Sequence, residues 1–240
     1  MNKFNGIDWI KKKGIPVNIY REKMNLMNIR LINKIVLDAG CGEGGKAVVF
    51  SKITKKIYGI DINRNSINKA RQKCNSNNIS FYVGSVEQMP FKDNIFDVVY
   101  AAWIIEHLKN PKKFINEVFR ILREGGIFIL WIPNLKSITG FLAKYISLSL
   151  KVRLLKVLTK KNEVSHQKCY YRANSVRKLD RICKNKFNRI YLKRFDTAGY
   201  VKNFRILTYL WFLKHRFITK IKLLKCMQQE FYVEFKKCSS

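Results

Sequence analysis

A chain of 240 residues is long enough for one α/β domain with a sizeable core. No uncharged run approaches the ~18–20 residues that span a bilayer, and the first residues lack an apolar signal segment, so the expectation is a cytoplasmic protein. Six scattered cysteines (Cys41, Cys74, Cys169, Cys183, Cys226, Cys238) form no C-x-x-C pair, which fits reduced thiols better than a disulfide frame or a metal site. The net charge of +32 is uneven: residues 1–133 carry 22 Lys and Arg against 11 acids, residues 134–240 carry 26 against 5. Such an excess points to an anionic partner, either nucleic acid or a membrane with acidic lipids.

In chain order, residues 20–33 read as an amphipathic helix leading to a strand at 35–39. The stretch Val36-Leu37-Asp38-Ala39-Gly40-Cys41-Gly42-Glu43-Gly44-Gly45 then gives an acid at a strand tip and a glycine turn. Glycine lets backbone approach a ligand at positive φ without a Cβ clash. A helix predicted at 45–53 adds free N–H groups and a positive dipole end. A nucleotide-like ligand is expected here. Gly40, Gly42 and Gly45 also satisfy G-x-G-x-x-G, with Asp61 at about the ~20-residue distance of a ribose-binding acid, so a nicotinamide-binding unit fits the same spacing. Asp38 argues against it, because a carboxylate before the turn repels a pyrophosphate and suits a cationic ligand.

Further strands are predicted at 56–60, 79–83, 95–101 and 126–132, with helices near 63–74 and 111–122. Apolar strands alternating with helical patterns indicate a parallel sheet covered on both faces, with ligands at the carboxyl ends of its strands. Four more landmarks follow Asp61: Gly84 to Phe91, Phe96 to Tyr100, Glu106-His107-Leu108 with Pro111, and Leu122 to Phe128.

This ordered series resembles the class I S-adenosylmethionine-dependent methyltransferases, and within them the type 11 subgroup that includes ubiquinone- and menaquinone-biosynthesis-like enzymes. The likeness covers roughly residues 20–133. It implies a Rossmann-like, doubly wound, mostly parallel seven-stranded sheet with an antiparallel last strand. It also implies a single domain over residues 1–240, with helical lid or substrate insertions at 134–188 and 196–229. Carried over by position, Asp38, Gly40, Cys41 and Gly42 would frame the methionine end of S-adenosylmethionine. Asp61 would take the ribose hydroxyls, with Ile62 against the adenine, Ser85, Val86 and Glu87 along its edge, and Ala102 near the methionine part. Two positions depart from the family: Ser85 replaces the usual Asp, which removes a charge from the adenine contact, and Glu124 stands where proline is common, at a turn.

Beyond residue 133 the pattern changes. Residues 136–160 carry apolar residues at near-helical spacing (Ile138, Phe141, Leu142, Tyr145, Leu148, Val152, Leu155). The run Val164 to Tyr171 leads into a helix that Asn174 is expected to cap. Strands follow at 189–195 and 230–237. Between them, 200–227 reads as a basic amphipathic helix with Phe204, Ile206, Leu207, Leu210, Trp211, Leu213, Phe217, Ile221 and Leu224 on one face. It is either a lid helix packed over a substrate pocket or a helix that lies flat in an anionic membrane interface.

Methyl transfer needs a base only where the acceptor must lose a proton. His107, beyond the fourth strand, and His166, between lid and helix, are the candidates; His215 reads as a surface residue. Three functions stay open: methylation of a small-molecule or lipid-linked acceptor, methylation of RNA, and non-catalytic cofactor binding. No N-P-P-Y tetrapeptide or appended RNA-binding domain supports the second.

Overall fold

A computed structural model describes residues 19–147, 149–150, 153, 156, 168–196 and 205–238. It contains a seven-stranded mixed sheet in the order β3-β2-β1-β4-β5-β7-β6. The elements are α1 (Ile19–Leu31), β1 (Ile35–Ala39), α2 (Gly45–Ser51), β2 (Lys56–Asp61), α3 (Arg64–Lys73) and β3 (Ile79–Val83). Next come β4 (Phe96–Ala102), a 3-10 turn (Ile105–His107), α4 (Pro111–Ile121), β5 (Leu122–Pro133) and α5 (Ile138–Tyr145). The chain continues through α6 (Val176–Cys183), β6 (Phe187–Phe195), α7 (Arg205–Lys220), a second 3-10 turn (Lys222–Met227) and β7 (Glu230–Lys237).

The chain divides into two compact units. One comprises residues 24–132, 170–193 and 232–240 and holds the core of the sheet. Its central strands are buried almost throughout, with Val36, Leu37 and Ala39 on β1 and Phe96 and Val98 to Ala101 on β4. Such near-continuous apolar runs mark a parallel strand covered on both faces. Parallel pairing aligns Ala39 with Ile60 on one side and with Ala101 on the other. The first three strands build outward from β1 in one direction and β4 and β5 in the other. The reversal between β1 and β4 opens a crevice at their carboxyl ends.

Local chemistry sets the helix starts. Pro111 opens α4 behind Asn110, whose side chain accepts from the Lys113 N–H at 3.2 Å. Its buried residues Pro111, Phe114, Ile115, Val118 and Ile121 follow a helical stripe. Asn63 caps α3 through the Ser66 N–H at 3.1 Å. Ser175, and not Asn174, caps α6, because the Asn174 side chain is taken by Glu106.

The β5 strand begins at Leu122, four residues earlier than its apolar run predicts. Phe96 pairs with Leu122 whereas Val98 pairs with Ile127, so the Arg123 to Gly126 stretch bulges opposite Asp97. Glu124 falls in this bulge, where Gly125 adopts φ +67°. At the same end of the sheet, Lys237 of β7 donates to the Leu122 carbonyl at 2.6 Å. The end of β7 thus lies beside the start of β5, and the last strands run antiparallel.

Arg120 on α4 fixes the loop after β3. Its guanidinium donates to Glu117, to Asp93 at 2.7 Å and to the carbonyls of Phe91 at 2.7 Å and Met89 at 3.0 Å. Glu117 in turn accepts from the Met89 N–H at 2.7 Å. A planar fork of five donors is needed to reach all of these at once.

The second unit comprises residues 1–23, 133–169 and 194–231. Asn134 is its buried hub, donating to the carbonyls of Cys226 and Gln228 at 2.8 Å each. On α7, Thr208, Trp211, Phe212 and Ile218 are buried. Buried Asp196 accepts from Lys214 at 2.8 Å, with His215 Nδ1 at 3.4 Å. His215 stacks on Trp211 with centroids 5.1 Å apart and is half-buried, so it is not the surface residue its sequence context suggests. Phe204, Leu148, Val152, Leu155 and the Val164 to Gln167 run lie outside the described residues.

Arg120→Met is expected to cost about 1.5–3 kcal/mol by urea denaturation, with Arg120→Lys recovering less than half of it.

Candidate functional site

The predicted cofactor residues lie at or just beyond the carboxyl ends of β1, β2, β3 and β4, all within one unit. Asp38 is 3% exposed at the tip of β1. One of its oxygens, Oδ2, is buried with no hydrogen-bond partner. Burial lifts its pKa from the ordinary 3.8 to about 6, with Lys46 opposing the rise and Asp61 adding to it.

The turn after β1 is held by backbone. Gly40 and Cys41 N–H groups both donate to the Ile60 carbonyl, at 2.8 and 3.1 Å. Gly40, at φ +77°, has no room for a side chain, since a Cβ there would run into Ile104. Gly42, at φ +53°, faces open space. Its N–H donates to Asp61 Oδ2 at 2.9 Å, while Asn63 N–H donates to Asp61 Oδ1 at 2.8 Å. The Asp61 carboxylate is thereby fixed against the glycine turn with lone pairs remaining on both oxygens. Cys41 is a passenger of this geometry: burial, with Asp38 and Asp61 nearby, pushes its thiol upward and away from reactivity.

The helix after the turn, α2, ends at Ser51 rather than 53 and has seven residues, starting behind Gly44 in the left-handed region. So short a helix contributes little dipole, and the carboxylates and turn backbone carry the site. Ile62 is 70% exposed beside Asp61. Ser85 Oγ accepts from the Glu87 N–H at 3.1 Å and closes a small turn, with Val86 buried beneath. Glu87 accepts from the Asn110 N–H at 2.8 Å, so its carboxylate is anchored to the start of α4. Ala102 ends β4, and Trp103 follows with φ +57°, a strained value for an aromatic residue.

Two residues here escape a motif-based reading. Lys46 donates to the Tyr100 hydroxyl at 2.7 Å and lies 4.9 Å from the Trp131 ring centroid. Only the sheet brings α2, β4 and β5 together, although a lysine one residue past the last glycine was a visible signal. Glu106 is 4% exposed in the turn after β4, and burial raises its pKa to about 7 while His107 and Asn174 oppose the rise. Its Oε2 is buried without a hydrogen-bond partner, and its main-chain carbonyl accepts from the N–H groups of Tyr170 at 2.6 Å and Tyr171 at 3.1 Å. His107 is half-buried beside it. His166 lies outside the described residues.

A carboxyl whose folded-state pKa exceeds its unfolded value favours folding while protonated. That contribution is lost as pH rises from 3.8 through about 6. Asp38→Asn is therefore expected to stabilise the ligand-free protein at pH 7.5 by on the order of 1–3 kcal/mol, with the gain vanishing below pH ~4. Denaturant midpoints at the two pH values test this.

Residues 37–130 match a family model described as a methyltransferase domain. The sterol 24-C-methyltransferase ERG6A of Gibberella zeae is 40% identical over 98 residues, which is 39% of this chain and 26% of that protein. Phthiotriol/phenolphthiotriol dimycocerosates methyltransferase 1 of Mycobacterium ulcerans is 31% identical over 118 residues, 47% of this chain and 42% of its own. The chain thus spans less than half the length of either. Among solved structures, the YcgJ protein of Bacillus subtilis superposes with a TM-score of 0.59 at 17% identity, covering 92% of this chain and all of its own, which shows the shared fold. An acid-tipped first strand and a glycine turn tied to a second acid both lie in the matched segment, so residues 37–130 are similar to a methyltransferase domain, a family whose cofactor is S-adenosylmethionine.

Proposed function

We propose that this protein methylates a small-molecule or lipid-linked acceptor with S-adenosylmethionine. The observation that carries this reading is the buried carboxylate of Asp38, whose Oδ2 has no hydrogen-bond partner, at a strand tip beside open glycine backbone. A buried oxygen without a partner is costly unless a ligand supplies the donor. The cofactor offers an ammonium group there, and when bound it supplies an electrophilic sulfonium methyl group.

The protein's own residues then do four things. Asp38 holds the ammonium end. Asp61, fixed by the Gly42 and Asn63 N–H groups, accepts from the two ribose hydroxyls with charge assistance and little reorganisation. Ile62 flanks the adenine, and Ser85, Val86 and Glu87 line its edge. Ala102 and Trp103 border the methionine part, where strained backbone suits a binding site. Bringing acceptor and methyl group into line supplies much of the acceleration, so the protein needs few reactive groups. For an acceptor that must lose a proton, we assign the base to the Glu106–His107 pair, with His166 as the second candidate. Acceptor choice we assign to the segments 134–188 and 196–229, outside the matched region.

Incubating the protein and radiolabelled cofactor with extract of its own cells, then separating lipid, RNA and water-soluble fractions, tests the acceptor class. Label is expected in the lipid or small-molecule fraction; label confined to RNA would reverse the assignment in favour of the strongly basic charge. Asp61→Ala should weaken cofactor binding by about 1.5–3 kcal/mol in calorimetry, and an unchanged dissociation constant would refute the ribose contact. Affinity should also fall as pH drops below about 6, where Asp38 takes up a proton, and Asp38→Asn should abolish that dependence.

A further inference from the structure

The helix α7 is two-faced in a way its sequence does not reveal. Trp211 and Ile218, with Thr208 and Phe212, are buried. The opposite side exposes Ile206 (75%), Leu210 (55%), Leu213 (45%) and Phe217 (61%). At 3.6 residues per turn these four side chains fall within an arc of about 60°. A solvated lid face carries polar residues at such positions; this one carries a continuous aliphatic and aromatic ridge. Arg216 and Lys220 border one edge of the ridge and Lys214 the other, and Arg216 and Lys220 are exposed. Between Asp196 and Glu230 the chain holds seven Lys and Arg and no acid, and those two flanking acids are themselves buried.

We propose that this face of α7 docks on an anionic lipid surface, lying parallel to it with the ridge inserted and the basic edges among acidic headgroups. The charge is complementary to a bilayer rich in acidic lipid, and long basic side chains can reach headgroups while their stems follow the apolar ridge. The same charge opposes a second copy of this chain, since two uniformly cationic faces repel. RNA is the poorer partner, because three of the four ridge residues, Ile206, Leu210 and Leu213, offer no ring on which a base can stack and Phe217 alone does. Among the described residues no helix is long and apolar enough to cross a membrane, so the contact is peripheral. The proposal is independent of the cofactor assignment.

The test is co-sedimentation of the full chain with vesicles of phosphatidylcholine alone or with about one third phosphatidylglycerol, at low and high salt. Binding is expected to the anionic vesicles and to fall with salt. The double variant Leu210→Glu/Phe217→Glu should lower it at least about tenfold, with circular dichroism and S-adenosylmethionine binding unchanged. Should that variant fail to fold, Arg216→Glu/Lys220→Glu carries the same expectation through charge alone. Failure of the wild-type chain to sediment with anionic vesicles, or equal binding by the folded variants, overturns the proposal. So does a wild-type dimer that the apolar variant dissociates, or RNA binding that this variant weakens while vesicle binding persists.

Discussion

A carboxylate kept in a nearly dry position at the reversal point of the sheet is the constraint around which the cofactor half is organised. Asp38 is buried at the tip of β1, so its charge is unfavourable in the empty protein despite the nearby Lys46, and the proposed function gives that charge a cationic partner. The rest of the crevice is arranged to leave that oxygen open. The turn backbone is satisfied by the Ile60 carbonyl and by Asp61, and neither competes for Asp38. Under the proposed function, the stability given up at this atom is recovered when the cofactor binds, a common arrangement at functional sites.

Asp61 plays a different part. Two main-chain N–H groups hold it, one from the glycine turn and one from the start of α3, so the two motifs are mechanically one piece. Glu43, one residue beyond the turn glycine, adds ion pairs to Lys69 at 3.1 Å and to Lys73 on α3. These pairs are exposed and contribute little energy, but they tie the same two segments. The loop after β3 is held separately, by Arg120 and Glu117 on α4.

The turn after β4 is built on a buried carboxylate, the one the proposed function pairs with His107 as a base. Glu106 receives the chain returning at Tyr170 and Tyr171 through its main-chain carbonyl, and takes the Asn174 side chain through its carboxylate. Its second oxygen is left without a partner. A carboxyl with a pKa of about 7 is divided between its two protonation states near neutrality, which is the condition a proton acceptor needs.

The sequence alone determined the alternation of strands and helices, the glycine turn and the two acids, because each depends on local periodicity or on residue types at fixed spacing, whereas the antiparallel last strand followed from the family resemblance. Strand order, the early start of β5, the use of Ser175 rather than Asn174 as a cap, and the contact of Lys46 with Tyr100 were decided by tertiary structure. Each of these depends on which distant groups compete for one hydrogen bond or one space: Asn174 is drawn away by Glu106, and Asp97 lies opposite the bulge in β5. The same holds for α7. Its composition announced a basic amphipathic helix, but only packing settled that Trp211 and Ile218 turn inward while Leu210 and Phe217 face water. Apolar residues on two sides of a helix leave periodicity with no preference, and burial in the folded unit supplies one.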